Sequence, residues 1–184
     1  MPSTIVTTTG GTTSNSYISA SDARTYFDNR LDGQAFIEAS SDDQLRALIT
    51  AATRLNDIRW FGSKTDGDQA LAWPRGGVVK RDSTGYGLLG NFPSPGDRSG
   101  YGIYDTAGLE YWPSDEIPQF VKDAQCLLAL AYLQGFEEGA PRIKDVAQDG
   151  LTIKREFAQP AGVLPAAVLR LIGPYIVGTS RVRA

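Results

Sequence analysis

The stretch "IPQFVKDAQCLLALAYLQGFEEG", residues 117–139, constrains the fold most. Phe120, Val121, Ala124, Leu127, Leu128 and Ala131 recur on one side of a helix, and Leu130 and Leu133 fill the other. A helix that is apolar nearly all round has to be central, with other elements packed about it. Pro118 suits the first helical position. Cys126, inside the helix, reads as an inert buried thiol. A second helix is written in "SSDDQLRALITAATRLNDIRW", where Leu45, Leu48, Ile49, Ala52, Leu55 and Ile58 or Arg59 form one apolar stripe. Ser41 and Gln44 give it a capping-box pattern. Asp42 and Asp43 sit where the helix dipole favours anions, and Gly62 ends it. Two shorter helices are expected, one over about 20–30 capped by Ser19 or Ser21 and one from Pro165 to about Ile172, stopped by Gly173-Pro174.

Between these helices the patterning changes. "RIKDVAQDGLTIKREF", residues 142–157, alternates on either side of Asp149-Gly150, a strong hairpin signal. Residues 80–112 are dense in Gly, Pro, Tyr and Asp and form a long irregular insertion. Loops of this length in a compact domain serve function or are disordered. The aromatics here, including Tyr86, Phe92, Tyr101 and Tyr104, suit an extended loop that orders against a neighbouring subunit or a tail protein. Residues 1–16 offer little to bury and read as a flexible or extended segment unless a partner orders them. The last residues, "PYIVGTSRVRA", read as an extended tail. The expected fold is therefore mainly α. It is a small bundle of about four helices with a β-hairpin, a long irregular loop insertion and an extended C-terminal arm. A length of 184 residues suits one domain, placed at 17–172 with the arm at 173–184.

"ALAWPRGGV", residues 70–78, sets Trp73, Pro74 and Arg75 side by side. Pro74 pushes Trp73 toward an extended backbone. Trp73 is expected to plug the end of the bundle, with its indole N–H on a carbonyl. Arg75 is expected to stack on an aromatic ring or to pair with a carboxylate such as Asp66 or Asp68. Gly76-Gly77 release the chain into the insertion.

The chain contains no histidine and one cysteine. Ser-His-Asp, Cys-His and His-metal chemistries and an internal disulfide are thereby excluded. Asp66-Gly67-Asp68 lacks the further ligands of a calcium loop and reads as a turn. Glu137-Glu138 reads as a solvated helix end, because adjacent helical residues point apart. Gly85-Tyr86-Gly87 and Gly100-Tyr101-Gly102 match no phosphate-binding pattern. No catalytic residue, metal site or cofactor is expected, so the chain does not read as an enzyme. No apolar run reaches ~18 residues, and "MPSTIVTTTGGTTSNS" lacks the basic and apolar regions of a secretory signal. Residues 151–184 hold Lys154, Arg155, Arg170, Arg181 and Arg183 against Glu156, a net +4; the total of −3 then leaves −7 on residues 1–150. A basic end on an acidic body suggests an attachment arm. Lys80-Arg81 and Lys154-Arg155 are a weak nucleic-acid footprint, opposed by that acidity. Together these features describe a component of an assembly.

The succession "NSYISASDARTYFDNR", "LITAATRLNDIRWFGSKTDGDQALAWPR", "DEIPQFVKDAQCLLALAYL" and "IKDVAQDGLTIKREF" resembles tailed-bacteriophage head–tail connector proteins. These are also called adaptor or head-completion proteins, and some members carry the label DnaT-like single-stranded DNA-binding. The resemblance spans about residues 15–172. It implies a helical bundle that assembles as a ring, usually of twelve copies, beneath the portal in the neck of the virion. Such a ring is built in the host cytoplasm, joins the DNA-filled head to tail or nozzle proteins, and lets the genome pass at ejection without sequence-specific contact. An acidic lining would let DNA slide through. On this chain the portal-binding arm would be Gly173–Ala184, with Tyr175, Ile176, Val177, Arg181 and Arg183 as contacts. The other function the label implies is a single-stranded DNA-binding module of replication. No membrane partner is expected.

Overall fold

A computed structural model describes residues 4–80, 110–137 and 164–177, and the backbone of 142–148 and 151–157. Five α-helices dominate: α1 (Ala20–Asp28), α2 (Gln34–Glu38), α3 (Ser41–Asn56), α4 (Gln119–Leu133) and α5 (Ala166–Ile172). Two antiparallel pairs accompany them, β1 (Ser63–Lys64) with β2 (Arg75–Gly76) and β3 (Arg142–Gln148) with β4 (Leu151–Phe157). The longer pair runs in register from Arg142↔Phe157 to Gln148↔Leu151. Its turn, Asp149-Gly150, lies outside the described residues.

The central helix is α4, which packs on α2, α3 and α5. Val121, Ala124, Cys126, Leu128, Ala129 and Leu130 are all buried on it. Its buried set spans more than one face, as an all-round apolar helix requires. Against it α3 lays Ala47, Leu48, Ala51, Ala52 and Leu55, and α5 lays Val168 and Ile172. Phe27 of α1 stacks on Phe36 of α2 with ring centroids 4.4 Å apart.

The caps refine the sequence reading. Ser19 caps α1, its Oγ accepting from the Asp22 N–H. Ser40, not Ser41, caps α3, accepting from the Asp43 N–H at 3.2 Å. Gln44 instead reaches back to the Phe36 and Ala39 carbonyls, so it anchors α2 to the start of α3. The α3 helix ends at Asn56, before Gly62. Pro118 and Pro165 stand one residue outside their helices, at the N-cap.

The described residues have the expected mainly α architecture with a β-hairpin, and their five α-helices include the five-residue α2 beside the four long enough to read from the sequence. Of the two forms expected for the N-terminal segment, flexible or extended, residues 4–16 take an ordered one: Asn15 bonds Val6 and Thr4, the Ser14 hydroxyl donates to the Thr8 carbonyl, and Ala70 N–H donates to Gly11 O. The insertion is closed at its neck, because Val79 bridges Tyr111 and the Lys80 and Trp112 amides bond Glu110 O and Val78 O. The C-terminal arm does not begin at Gly173. The chain continues α5 as a 3-10 turn, Gly173–Tyr175, and Ile176 then bridges Trp60. Tyr175 and Ile176 are apolar enough that burial, at 7% and 8% exposure, outweighs freedom.

Candidate functional site

Trp73 lies at the meeting point of the fold. It is 1% exposed, with its ring edge-on to Trp60 (5.6 Å, 84°) and to Phe120 of α4 (5.6 Å, 87°). Phe120 in turn stacks on Tyr175 at 4.1 Å and tilts against Trp112. One aromatic cluster thus joins the Trp73 turn, the start of the central helix, the neck of the insertion and the C-terminal root. Such ring pairs add roughly 0.5–1.5 kcal/mol each beyond their buried area. The Trp73 indole N–H, expected on a carbonyl, has no partner. The Trp60 indole makes that bond instead, to Leu55 O at 2.9 Å.

Pro74 follows through a cis peptide bond and is buried. Among the described residues Arg75 meets neither an aromatic face nor Asp66 or Asp68. Its Nε donates to Phe61 O (2.9 Å), Nη1 to Ala72 O (3.1 Å) and Nη2 to Gly62 O (2.6 Å) and Trp60 O (3.5 Å). A planar guanidinium with five donors is the side chain suited to gathering several carbonyls. Asp66 and Asp68 close their own turn, Asp68 N–H donating to Asp66 Oδ1.

The carbonyls that Arg75 gathers belong to a ribbon of short antiparallel pairings. Phe61 N–H donates to Tyr175 O and Val177 N–H to Arg59 O, so residues 175–177 run beside 59–61. Further along, Ser63 pairs with Gly76 and Val79 with Tyr111. Gly62 makes the crossing, at φ +70°; a Cβ there would stand 2.3 Å from Gly76 O. Phe61, Tyr111 and Val177 are large apolar side chains left exposed along this ribbon. The expected contact residues Tyr175, Ile176 and Val177 are therefore split, the first two buried and the third exposed. Arg181, Arg183, Tyr86, Phe92, Tyr101 and Tyr104 lie outside the described residues.

A second feature, with no sequence signal, is a cleft of about 570 Å³ between residues 7–9, α1 and the start of α4. Asp22, Asp115, Glu116 and Lys122 supply its charges. Tyr26 lines it with a phenol that burial pushes up to about 12. Its hydroxyl accepts from Arg30, whose guanidinium is held by Asp32 at 2.9 and 3.0 Å. No group of three or more Cys, Asp or Glu residues stands together as a metal site among the described residues. Nor is any described helix long and apolar enough to cross a membrane.

The cleft wall and the ribbon are tied together by buried polar bonds that sequence reasoning missed. Gln125, on the central helix, accepts from Tyr17 N–H (2.8 Å) and donates to Ser16 Oγ (2.7 Å) and Leu48 O (2.8 Å). Tyr17 Oη donates to Asn56 Oδ1 at 2.6 Å, and Ala72 N–H reaches both oxygens. Burial raises the Tyr17 phenol far above its ordinary range, against weaker opposing bonds from Ala72 and Trp73. The available signal was a glutamine within the apolar run Ala124–Leu133 of α4.

Residues 1–86 match a family model described as "Putative DnaT-like ssDNA binding protein". The match covers the N-terminal segment, α1 to α3 and the Trp73 turn, and stops before the central helix. No curated protein and no solved structure matches the chain.

Proposed function

We propose that this chain is a structural adaptor of a tailed bacteriophage, one subunit of a ring, of twelve copies, that sits beneath the portal and joins the filled head to the tail. The observation that carries the reading is the ribbon. The insertion and the C-terminal segment both spring from it, on a rigid helical body braced by Arg75 and the aromatic cluster. Two segments rooted on one edge, with Phe61, Tyr111 and Val177 exposed between them, suit a subunit that reaches neighbours on both sides. The resemblance over residues 15–172 supports the same reading. Ordering long segments costs ~1–2 kcal/mol per residue, which partner surfaces have to offset. The test is electron microscopy of the protein mixed with portal, beside its mass in solution. Rings seated on portals are expected. A protein that stays monomeric and leaves portals bare would sink the proposal.

The family-model match favours a second reading, a single-stranded DNA-binding module. The acidic balance of residues 1–150 works against it. Titration with an oligonucleotide separates the two: micromolar or tighter binding with a steep salt slope favours the module, and no binding at low salt removes it.

A further inference from the structure

We infer that one face of the β3–β4 hairpin docks on the acidic helical body of a second copy of this chain. The register sets the two faces, because successive residues of a strand alternate and directly paired residues share a face. Arg142↔Phe157 and Lys144↔Arg155 fall on one face, with Val146↔Ile153 and Gln148↔Leu151 beyond them toward the turn. Ile143↔Glu156, Asp145↔Lys154 and Ala147↔Thr152 fall on the other. The first face thus carries Arg142, Lys144 and Arg155 and no carboxylate, while the second sets Lys154 directly opposite Asp145.

The same register says what covers the first face. A two-stranded hairpin alone is marginal in water and needs one face packed on something. Among the described elements, β3 and β4 pack on each other, and neither packs broadly on a helix. Lys144 and Arg155 stand directly opposite, and like charges so placed destabilise a strand pair. Carboxylates from a partner relieve that repulsion. Nearer the turn, the grouping of Val146, Leu151 and Ile153 suits a protein surface rather than a phosphate backbone. The chain itself supplies such a partner. Residues 1–141 hold 18 of its 21 carboxylates and 11 of its 18 cations, a net −7. Asp115 and Glu116, before α4, are exposed. The hairpin does not cover its own helices, so the acidic body it meets is a neighbour's. This deepens the adaptor reading, on which it rests, by naming the face that one subunit offers the next.

The test is zero-length carbodiimide coupling in the full chain, which joins an amine to a carboxylate in direct contact. Ordinary and nitrogen-heavy protein are mixed, alone and on portals, and mixed-isotope peptide pairs report links between chains. Lys144 should link to a carboxylate of another copy, and Lys154, on the opposite face, should not. Arg155→Glu sets a carboxylate opposite Lys144, so it favours the hairpin while it strips positive charge from the face. It should weaken self-association about tenfold. Equal linking through Lys144 and Lys154, or association unchanged by Arg155→Glu, overturns the proposal; rings seated on portals in that case leave the adaptor reading standing. Monomers beside bare portals overturn both. Oligonucleotide binding that Arg155→Glu abolishes, with self-association intact, assigns the face to nucleic acid and overturns the proposal too.

Discussion

Trp73 and Arg75 show how much of this molecule rests on single side chains. Trp73→Ala should cost about 3–5 kcal/mol in denaturant unfolding, because a 1% exposed ring leaves a cavity between Trp60 and Phe120. Trp73→Phe should cost clearly less. The indole N–H has no partner, so removing it relieves an unsatisfied donor while ring volume is lost. Arg75→Lys tests a different property. Lysine keeps the charge but cannot serve the carbonyls of Trp60, Phe61, Gly62 and Ala72 in one plane. A loss of about 1–3 kcal/mol is expected, and a neutral result would show that water replaces the fork. Cys126 sets the alkaline limit. Burial pushes its thiol up to about 12 from an ordinary value of 9.0. The folded state therefore holds the proton that the unfolded state releases between pH 9 and 12. Stability falls with rising pH across that window, by at most about 1.4 kcal/mol per pH unit for this group. Tyr26, also raised to about 12, adds to the slope above pH 10. Urea unfolding of Cys126→Ala from pH 8 to 11 should show a shallower decline than the parent chain.

Among the elements, α4 carries the heaviest demand, and its one buried polar side chain is the point to test. Gln125→Met keeps the shape but leaves the Tyr17 N–H and the Leu48 carbonyl without that partner. A loss of about 2–4 kcal/mol is expected, together with faster hydrogen exchange at Tyr17. Exchange unchanged at Tyr17 would mean that residues 4–18 are held by other bonds. The long helices were legible because an apolar stripe over 15 or 16 residues has no other reading. The hairpin was legible from alternation about Asp-Gly. Other features were hidden for stated reasons. Five residues of α2 are too few to show a period. Ser40 and Ser41 both precede acidic residues, so the cap slips by one. Gly173-Pro174 reads as a stop, and it stops only the α-helical form, since a 3-10 turn accepts proline near its start. The partners of Arg75 are backbone carbonyls, which every residue carries and no sequence pattern marks. Nor does any pattern mark the cleft, whose walls come from residues 7–9, α1 and the start of α4, far apart in the chain.

At the scale of the whole molecule, the boundary between body and arm decides how the C-terminal segment has to be studied. A truncation that removes residues 174–184 takes away Tyr175, which stacks on Phe120, and Ile176, which bridges Trp60. Burying side chains of this size contributes roughly 1.5–3 kcal/mol each. Such a variant should melt several degrees lower than the full chain and lose the pairing beside residues 59–61. Loss of portal binding by it would then report a damaged body as much as a missing arm. Removal of residues 178–184 alone leaves the aromatic cluster, the Arg75 fork and the Val177–Arg59 bond in place. This shorter truncation should therefore melt closer to the full chain than the longer one does. If Arg181 and Arg183 grip the portal, it should nevertheless fail to bind portals. Comparing the two truncations by thermal melting and portal co-sedimentation separates anchoring from recognition. Normal binding by the 178–184 truncation would move the portal contact onto the exposed ribbon residues Phe61, Tyr111 and Val177.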